Sequence, residues 1–158
     1  LLTDTRSADD GLRSSATYAL GVVGGDGARE RLEVLCGDTA DDVRYNAALG
    51  LARLGDTAAY ETLGEMLALP DVAAAAGDQE AQSERYKRAM VVVNALKGVG
   101  LLVDQTDDPP PASIMQAVAG FHDDAIADVR QGAAALLRRI ERIGNEPAES
   151  LAPEPAVP

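Results

Sequence analysis

Few side chains in this sequence are of the types that carry out catalysis, and they lie in acidic surroundings. His122 is the single histidine and is followed by Asp123 and Asp124. A Ser-His-Asp or Cys-His arrangement would have to use this histidine, and a lone metal ligand is the other chemical interpretation. We favour a structural role, in which these residues close one helix and cap the next. The sequence therefore predicts no catalytic residue, no metal and no cofactor.

Two other segments resemble ion or phosphate sites in residue type alone. Asp104, Asp107 and Asp108 lie close together, but they lack the glycine and the distal glutamate of an EF-hand calcium loop. Residues 21–27 are rich in glycine, but they follow a predicted helix and contain no Lys-Ser/Thr pair of a phosphate loop. Neither segment predicts a ligand. Cys36, the one cysteine, lies on an apolar stripe and is expected to pack there.

Three arginines, Arg13, Arg44 and Arg130, recur at the same position of an internal repeat, close to acidic residues such as Asp42 and Asp128. A column of arginines binding phosphate is one interpretation. A ladder of Arg–Asp pairs that ties one repeat to the next is the other. We favour the ladder, because an acidic surface opposes anion binding.

Composition indicates which elements must position these residues. The chain has 158 residues, 46% hydrophobic and only 3% aromatic, so most of its apolar content is alanine, leucine and valine. Alanine favours helices, whereas the aromatic residues that favour strands are scarce. An all-β fold and a disulfide scaffold are excluded, and a net charge of −12 disfavours nucleic acid and anionic membranes as partners. The densest apolar stretch is only residues 90–93, which predicts no membrane span.

An internal repeat organises most of the chain. Residues 10–37 align with 41–68, and a further copy of the first half begins near residue 124. Each copy has the pattern of two helices, with an apolar stripe such as Leu12, Ala16, Leu20 and Val23 on the first. Stacked helix pairs bury stripes that one pair leaves exposed. The first alignment has identical residues at Asp10, Arg13, Ala16, Leu20, Gly24, Ala28, Glu30 and Leu32.

We predict about four antiparallel helix pairs over residues 9–143, with the third enlarged. In that third unit a helix over 79–99, with Tyr86 and Met90 on its apolar stripe, is followed by a second helix over 111–121. The extra chain falls in 70–78 and 100–110. The predicted units are about 9–37, 41–69, 79–121 and 124–143, preceded by a stub (1–8) and followed by a Pro/Glu-rich tail (144–158).

The segment Asp41-Asp42-Val43-Arg44-Tyr45-Asn46-Ala47-Ala48-Leu49-Gly50-Leu51 resembles HEAT and HEAT-like repeats. The short period is most similar to the compact variety named after phycobilisome-lyase subunits. This resemblance implies an all-α fold, an α-α superhelix of the armadillo/HEAT type with first helices on the convex side and second helices on the concave side. It also implies a scaffold that binds proteins. The HEAT-like deoxyhypusine hydroxylases use His-Glu pairs as iron ligands, and this chain has none, so that activity is excluded.

The resemblance places a set of polar residues on the concave face. They either form a solvated surface, which needs no partner, or bind a protein or peptide with a basic segment. Binding on this face is the leading hypothesis for the function of the chain. An accessory subunit of a bilin lyase is the alternative function, and a DNA-repair enzyme is the least favoured. We expect a monomer in the cytoplasm, cut from a larger protein because the sequence begins at Leu1. The predicted binding residues are Arg29, Glu30, Glu33, Tyr60, Glu61, Glu65 and Gln116.

Overall fold

A computed structural model describes residues 1–75, 77–106 and 108–145, and every regular element in these ranges is helical. This confirms the predicted all-α, HEAT-type fold. Short 3₁₀ turns lie at Asp4–Arg6 and Gly120–Asp123. The α-helices are α1 (Asp10–Val23), α2 (Ala28–Leu35), α3 (Asp41–Arg53), α4 (Ala59–Leu67), α5 (Gln79–Thr106), α6 (Ala112–Ala119) and α7 (Ala127–Asn145).

The helices form two layers. The first helices α1, α3, α5 and α7 pack on one another in chain order, and we call them the first-helix layer. The second helices α2, α4 and α6 each pack on the first helix of the next unit, and their outer side is called the second-helix face. This arrangement is a solenoid, because each unit buries its apolar side against its neighbours.

Local signals set the helix ends. The Asp9 carboxylate caps α1 by accepting a hydrogen bond from the Leu12 amide at 2.7 Å. Gly24 and Gly55 follow α1 and α3 with φ of 67° and 69°, a left-handed conformation that glycine adopts without strain. The two glycines therefore end the first helices of the first two units.

Small residues let the first helices approach closely. Ala16, Ala47 and Ala133 are all buried. At the crossing of α1 and α3, a Cβ added to Gly21 would lie 2.6 Å from the Cα of Gly50. The backbones therefore touch, which explains how an aromatic-poor chain fills its core.

Helix α5 is longer than the sequence predicts. It runs to Thr106 instead of ending at residue 99, so much of the predicted 100–110 connection is helical. Leu102 and Val103 are buried in this extension, and their burial against the neighbouring helices outweighs the low helix propensity of Gly98 and Gly100. Asp107, of the rejected calcium cluster, and Ala76, in the preceding connection, lie outside the described residues.

The apolar stripes of α1 and α5 are rotated from their predicted positions. Leu12 and Val23 are exposed, and Arg13 and Thr17 are buried near Ala16 instead. On α5, Tyr86 is 62% exposed and Met90 is 67% exposed. The positions of the neighbouring helices decide which side of each helix is covered. The residues that α5 buries include Ala89, Val92, Ala95, Leu96 and Val99.

The remaining ends also differ from the predicted bounds. Helix α6 begins at Ala112 and is succeeded by the 3₁₀ turn, whereas a helix over 111–121 was expected. Helix α7 begins at Ala127, three residues after the predicted start, and extends to Asn145. The rest of the Pro/Glu-rich tail, residues 146–158, lies outside the described residues.

Candidate functional site

Arg13 joins the first unit to the second. Its guanidinium donates to both carboxylate oxygens of Asp38, at 2.7 and 2.8 Å, and also to Asp10 at 2.8 Å. Asp38 precedes α3, so this bidentate pair connects α1 to the start of the next unit. The hydrogen bonds from Arg13 lower the pKa of Asp38, because they stabilise its ionised form.

Arg44 and Arg130 have a different main role, in which they bind the turn that precedes their own helix. Arg44 donates to the carbonyl of Asp38 at 3.0 Å, and Arg130 donates to the carbonyl of Asp124 at 2.5 Å. Arg13 makes the same bond to Ser7, at 2.7 Å. The three arginines therefore each bind the turn before their own helix. Among the described residues, Arg13 is the one member of the column that also forms an ion pair between units.

The acidic partners that the sequence suggested for this ladder are wrong. Asp42 and Asp128 are exposed and take part in no ion pair within the described residues. Arg44 instead pairs with Asp41 at 2.7 Å, in its own helix. Asp38 fills the predicted role because its position, six residues before Arg44, lies beside the preceding unit.

A second pair between units was missed in the sequence. Arg88 of α5 pairs with Asp124, and their side chains are only 9% and 4% exposed. Arg88 also donates to the carbonyl of Leu69 and lies 5.5 Å from the centre of the Phe121 ring. Asp38 and Asp124 occupy equivalent positions, a signal for a common role. The enlarged third unit displaces Arg88 from the register of the other arginines.

The arginines of α2 are engaged within the molecule. Arg29, a predicted binding residue, pairs with Asp56 and donates to the carbonyl of Leu54 at 3.2 Å. Arg31 donates to the hydroxyl of Thr5 at 2.9 Å. These cations fasten the second-helix face to neighbouring turns, so they add little positive charge for an incoming ligand.

The glutamates of the same face are more available. Glu30, Glu33 and Glu61 are exposed and form no ion pair with any residue that the structure describes. Glu65 is half exposed and lies 3.6 Å from the Nε atom of Arg44. The second-helix face is therefore acidic along α2 and α4.

The pKa values of two nearby side chains are raised in part by carboxylates. Burial raises the pKa of Cys36, and the nearby Glu61 and Glu65 of α4 raise it further. Burial and the charge of Asp108 raise the pKa of Tyr60. Tyr60 packs partly against the core, which makes it less available to a partner than predicted.

Gln116 lies exposed on α6, whose sequence has no charged residue. No hydrogen bond joins Gln116 to the glutamates of α2 and α4 among the described residues, although α6 packs on α4. The acidic character of the second-helix face thus belongs to its first two units, and the third contributes only neutral groups.

The side chain of His122 makes local contacts in the exposed 3₁₀ turn. The imidazole is exposed, with its Nδ1 atom 3.3 Å from the carbonyl of Ala119 and 3.9 Å from the Asp123 carboxylate. Asp124 turns inward to Arg88 and also accepts from the amide of Ile126 at 2.9 Å. Within the described ranges no cluster of three or more His, Cys, Asp or Glu side chains could hold a metal. The absence of cofactors stays a prediction.

Helix α5 is long and apolar enough by length and composition to cross a membrane, whereas the sequence analysis predicts no membrane span. Its best 18-residue window has a mean hydropathy of 1.2, and half of that window is buried in the protein. The helix packs on α3, α4 and α7. Packing accounts for the buried half of that window, because a helix in the centre of a two-layer array buries more than one side.

Comparison with known proteins identifies the family. The family model described as HEAT repeats matches residues 1–81, just over half of the chain. No curated protein matches the chain significantly. HEAT repeats commonly mediate protein interactions and are typically non-enzymatic. The relation to the compact phycobilisome-lyase variety stays a prediction. With the match and the two-layered helix pairs together, the chain belongs to the HEAT repeat family.

Proposed function

We propose that this chain is a non-enzymatic HEAT repeat scaffold whose second-helix face binds a basic segment of another protein. The main support for this proposal is that the cations of that face are engaged within the molecule and most of its glutamates are not. Arg29 and Arg31 are held by intramolecular bonds, whereas Glu30 and Glu61 form no ion pair with any described residue. A lysine- or arginine-rich segment would neutralise these carboxylates.

The exposed position of the glutamates also allows for the plainer explanation of a solvated surface. Two features support binding over solvation. The carboxylates of α4 raise the pKa of Cys36 on α2, so the charges of adjacent units act on the same region. Tyr60, which precedes Glu61 on α4, packs partly against the core but keeps part of its side chain exposed, so its amphipathic ring can still contact a peptide. The bilin-lyase alternative depends on family resemblance alone.

The experiment measures binding of a labelled 16-residue peptide of lysine and leucine by fluorescence anisotropy. We expect binding to weaken several-fold between about 50 and 300 mM NaCl, because salt screens exposed charges. Glu61→Lys should weaken it further. Glu141→Lys, which makes the same charge change on exposed α7, is the matched control.

Circular dichroism should show both variants folded, because both positions are exposed. An equal loss of binding in Glu61→Lys and Glu141→Lys would mean that net charge alone attracts the peptide. In that case the second-helix face is not a binding site.

A further inference from the structure

The outer side of α5 carries an apolar strip that the fold leaves uncovered. Tyr86, Met90, Val93 and Leu101 lie on this side at helical spacing. Tyr86 and Met90 are exposed, Leu101 is 37% exposed, and Val93 is half-buried between them. The strip spans about 22 Å, since a helix rises 1.5 Å per residue. Exposed apolar patches of this kind mark interaction sites in soluble proteins.

Two neighbouring helices make the strip a groove. Leu49 and Arg53 of α3 form one wall, and Ala135 and Arg139 of α7 form the other, enclosing about 560 Å³. A smaller hollow of about 190 Å³ continues beside Tyr86. The groove is concave, which suits an inserted helix better than a flat membrane surface.

Glycines give the groove its depth. A Cβ added to Gly132 would lie 3.2 Å from Leu96, and one added to Gly100 would lie 3.5 Å from the guanidinium of Arg139. Both glycines line the groove, and neither has a side chain to fill it. Helices α5 and α7 therefore approach closely at Gly132, and the two glycines add no side chain to the lining of the groove.

The charged residues that line the larger hollow are all cations, in a chain with a net charge of −12. They are Arg53, Lys97 and Arg139. Arg139 pairs with Asp104, whereas Arg53 and Lys97 form no ion pair within the described residues. Arg53 lies 5.7 Å from the centre of the Tyr18 ring. One carboxylate, that of Asp128, borders the smaller hollow.

We infer that the α5 groove is a second docking site, which binds an acidic amphipathic helix of a partner protein. Apolar side chains of that helix at positions i, i+4 and i+7 would lie on the strip. Its carboxylates would meet Lys97 and Arg53, which supply the charge complementarity. This site goes beyond the proposed function, because it lies on the opposite layer and selects the opposite charge.

The test uses a labelled 16-residue peptide with leucine at every third or fourth position and glutamate elsewhere, measured by fluorescence anisotropy at about 150 mM NaCl. We expect Lys97→Glu to weaken binding by about tenfold or more, and Met90→Ser to weaken it also. Glu61→Lys should leave it unchanged. Since Met90 and Lys97 are exposed, the variants should unfold at the wild-type temperature.

Four outcomes would overturn the inference. The first is the absence of Lys97-dependent binding, seen either as no binding of the peptide at up to about 1 mM or as equal binding by the wild type and Lys97→Glu. The second is that phosphatidylserine vesicles, and not the peptide, bind in a Lys97-dependent way. The third is a dimer in sedimentation equilibrium that Met90→Ser abolishes. The fourth is that removing residues 146–158 tightens peptide binding at least about tenfold, which would identify the tail as the occupant.

The two proposals fail separately. If the lysine peptide does not bind selectively, the proposed second-helix site is wrong and the proposed α5 site is unaffected. Loss of selective glutamate-peptide binding would mean the reverse. Reciprocal use of Glu61→Lys and Lys97→Glu makes each variant the control for the other.

Discussion

At the scale of single residues, close backbone contact replaces the large side chains that this chain lacks. Gly50 of α3 faces Gly21 of α1, and an added Cβ would lie 2.9 Å from the Gly21 Cα and 3.0 Å from Leu32. Alanine at a helical glycine normally stabilises a helix by about 1 kcal/mol. Here the steric conflict opposes that gain, because neither the backbone of α1 nor the buried Leu32 can easily move.

We therefore expect Gly50→Ala to lower the free energy of unfolding by about 1–3 kcal/mol in urea titrations. Gly120→Ala is the control, because a Cβ there meets nothing within 4 Å. That variant should be neutral or slightly more stable. If Gly50→Ala matched the wild type, α1 and α3 would separate without cost, and close contact would not be needed at their crossing.

The buried pair of Arg88 and Asp124 gives a second prediction at this scale. Arg88→Met keeps much of the side-chain volume but leaves the Asp124 carboxylate without its cation. We expect the free energy of unfolding to fall by about 3–5 kcal/mol, because an unpaired buried charge is costly. Thermal and urea unfolding would measure the loss.

Two further variants calibrate this result. Lys87→Ala removes the neighbouring exposed pair with Glu84 and should leave the unfolding midpoint unchanged. Asp124→Asn leaves Arg88 without its counter-ion, but Arg88 keeps its hydrogen bond to the Leu69 carbonyl and its contact with the Phe121 ring, so this variant should be less destabilising than Arg88→Met. Equal stability of Arg88→Met and the wild type would show that solvent reaches Asp124 and that the pair does not secure the interface.

Individual ion pairs were only partly predictable from the sequence. The recurrence of Arg13, Arg44 and Arg130 revealed a structural column, since a position that packs the same way in each unit retains its residue type. The carboxylates were misassigned because proximity along a helix was taken as proximity in space. Asp38 reaches Arg13 only after a whole helix hairpin has folded, which no local pattern encodes.

At the scale of the element, α5 shows how tertiary packing overrides a local helix-breaking signal. The sequence predicts an end at residue 99, between the weak helix formers Gly98 and Gly100, but the helix continues because Leu102 and Val103 are buried. A Cβ at Gly98 would lie 2.9 Å from Leu63. Glycine therefore allows close packing between helices here. In a sequence, such a glycine cannot be told apart from one that ends a helix.

This difference leads to a prediction about adjacent leucines. Leu102→Ala should lower the free energy of unfolding by about 2–5 kcal/mol, because Leu102 is fully buried. Leu101→Ala, on the partly exposed side, should cost much less. Paired urea titrations would compare them. Equal effects at the two positions would contradict a helix that continues through this segment.

Amphipathic patterns located the helices well but did not fix their rotation. The existence of α1 to α4 followed from the repeat, whereas Tyr86 and Met90 were wrongly placed in the core. A stripe is buried only where a neighbour lies against it, and the position of α7 beside α5 depends on the whole array. The α5 groove was missed for this reason, because Tyr86 and Met90 had been assigned to the interior and Leu101 to a connection.

At the scale of the whole molecule, the fold distributes charge so that most cations are engaged and many carboxylates are exposed. The chain has 26 acidic and 14 basic residues. Buried pairs such as Arg88–Asp124 are weakly screened by salt, whereas repulsion among exposed carboxylates is strongly screened. Repulsion therefore decides how the stability of the array responds to salt.

We expect the unfolding temperature to rise between about 10 and 200 mM NaCl, with each 1 kcal/mol of stability worth about 2–4 °C. A triple variant with Gln in place of Glu30, Glu33 and Glu61 should unfold at a higher temperature in low salt and gain less from added NaCl. These glutamates form no described ion pair, so the substitutions remove repulsion without breaking a bridge. A fall in unfolding temperature with salt would show instead that surface bridges outweigh repulsion. In that case the carboxylates of the second-helix face would not repel one another enough for a basic partner to gain stability by neutralising them.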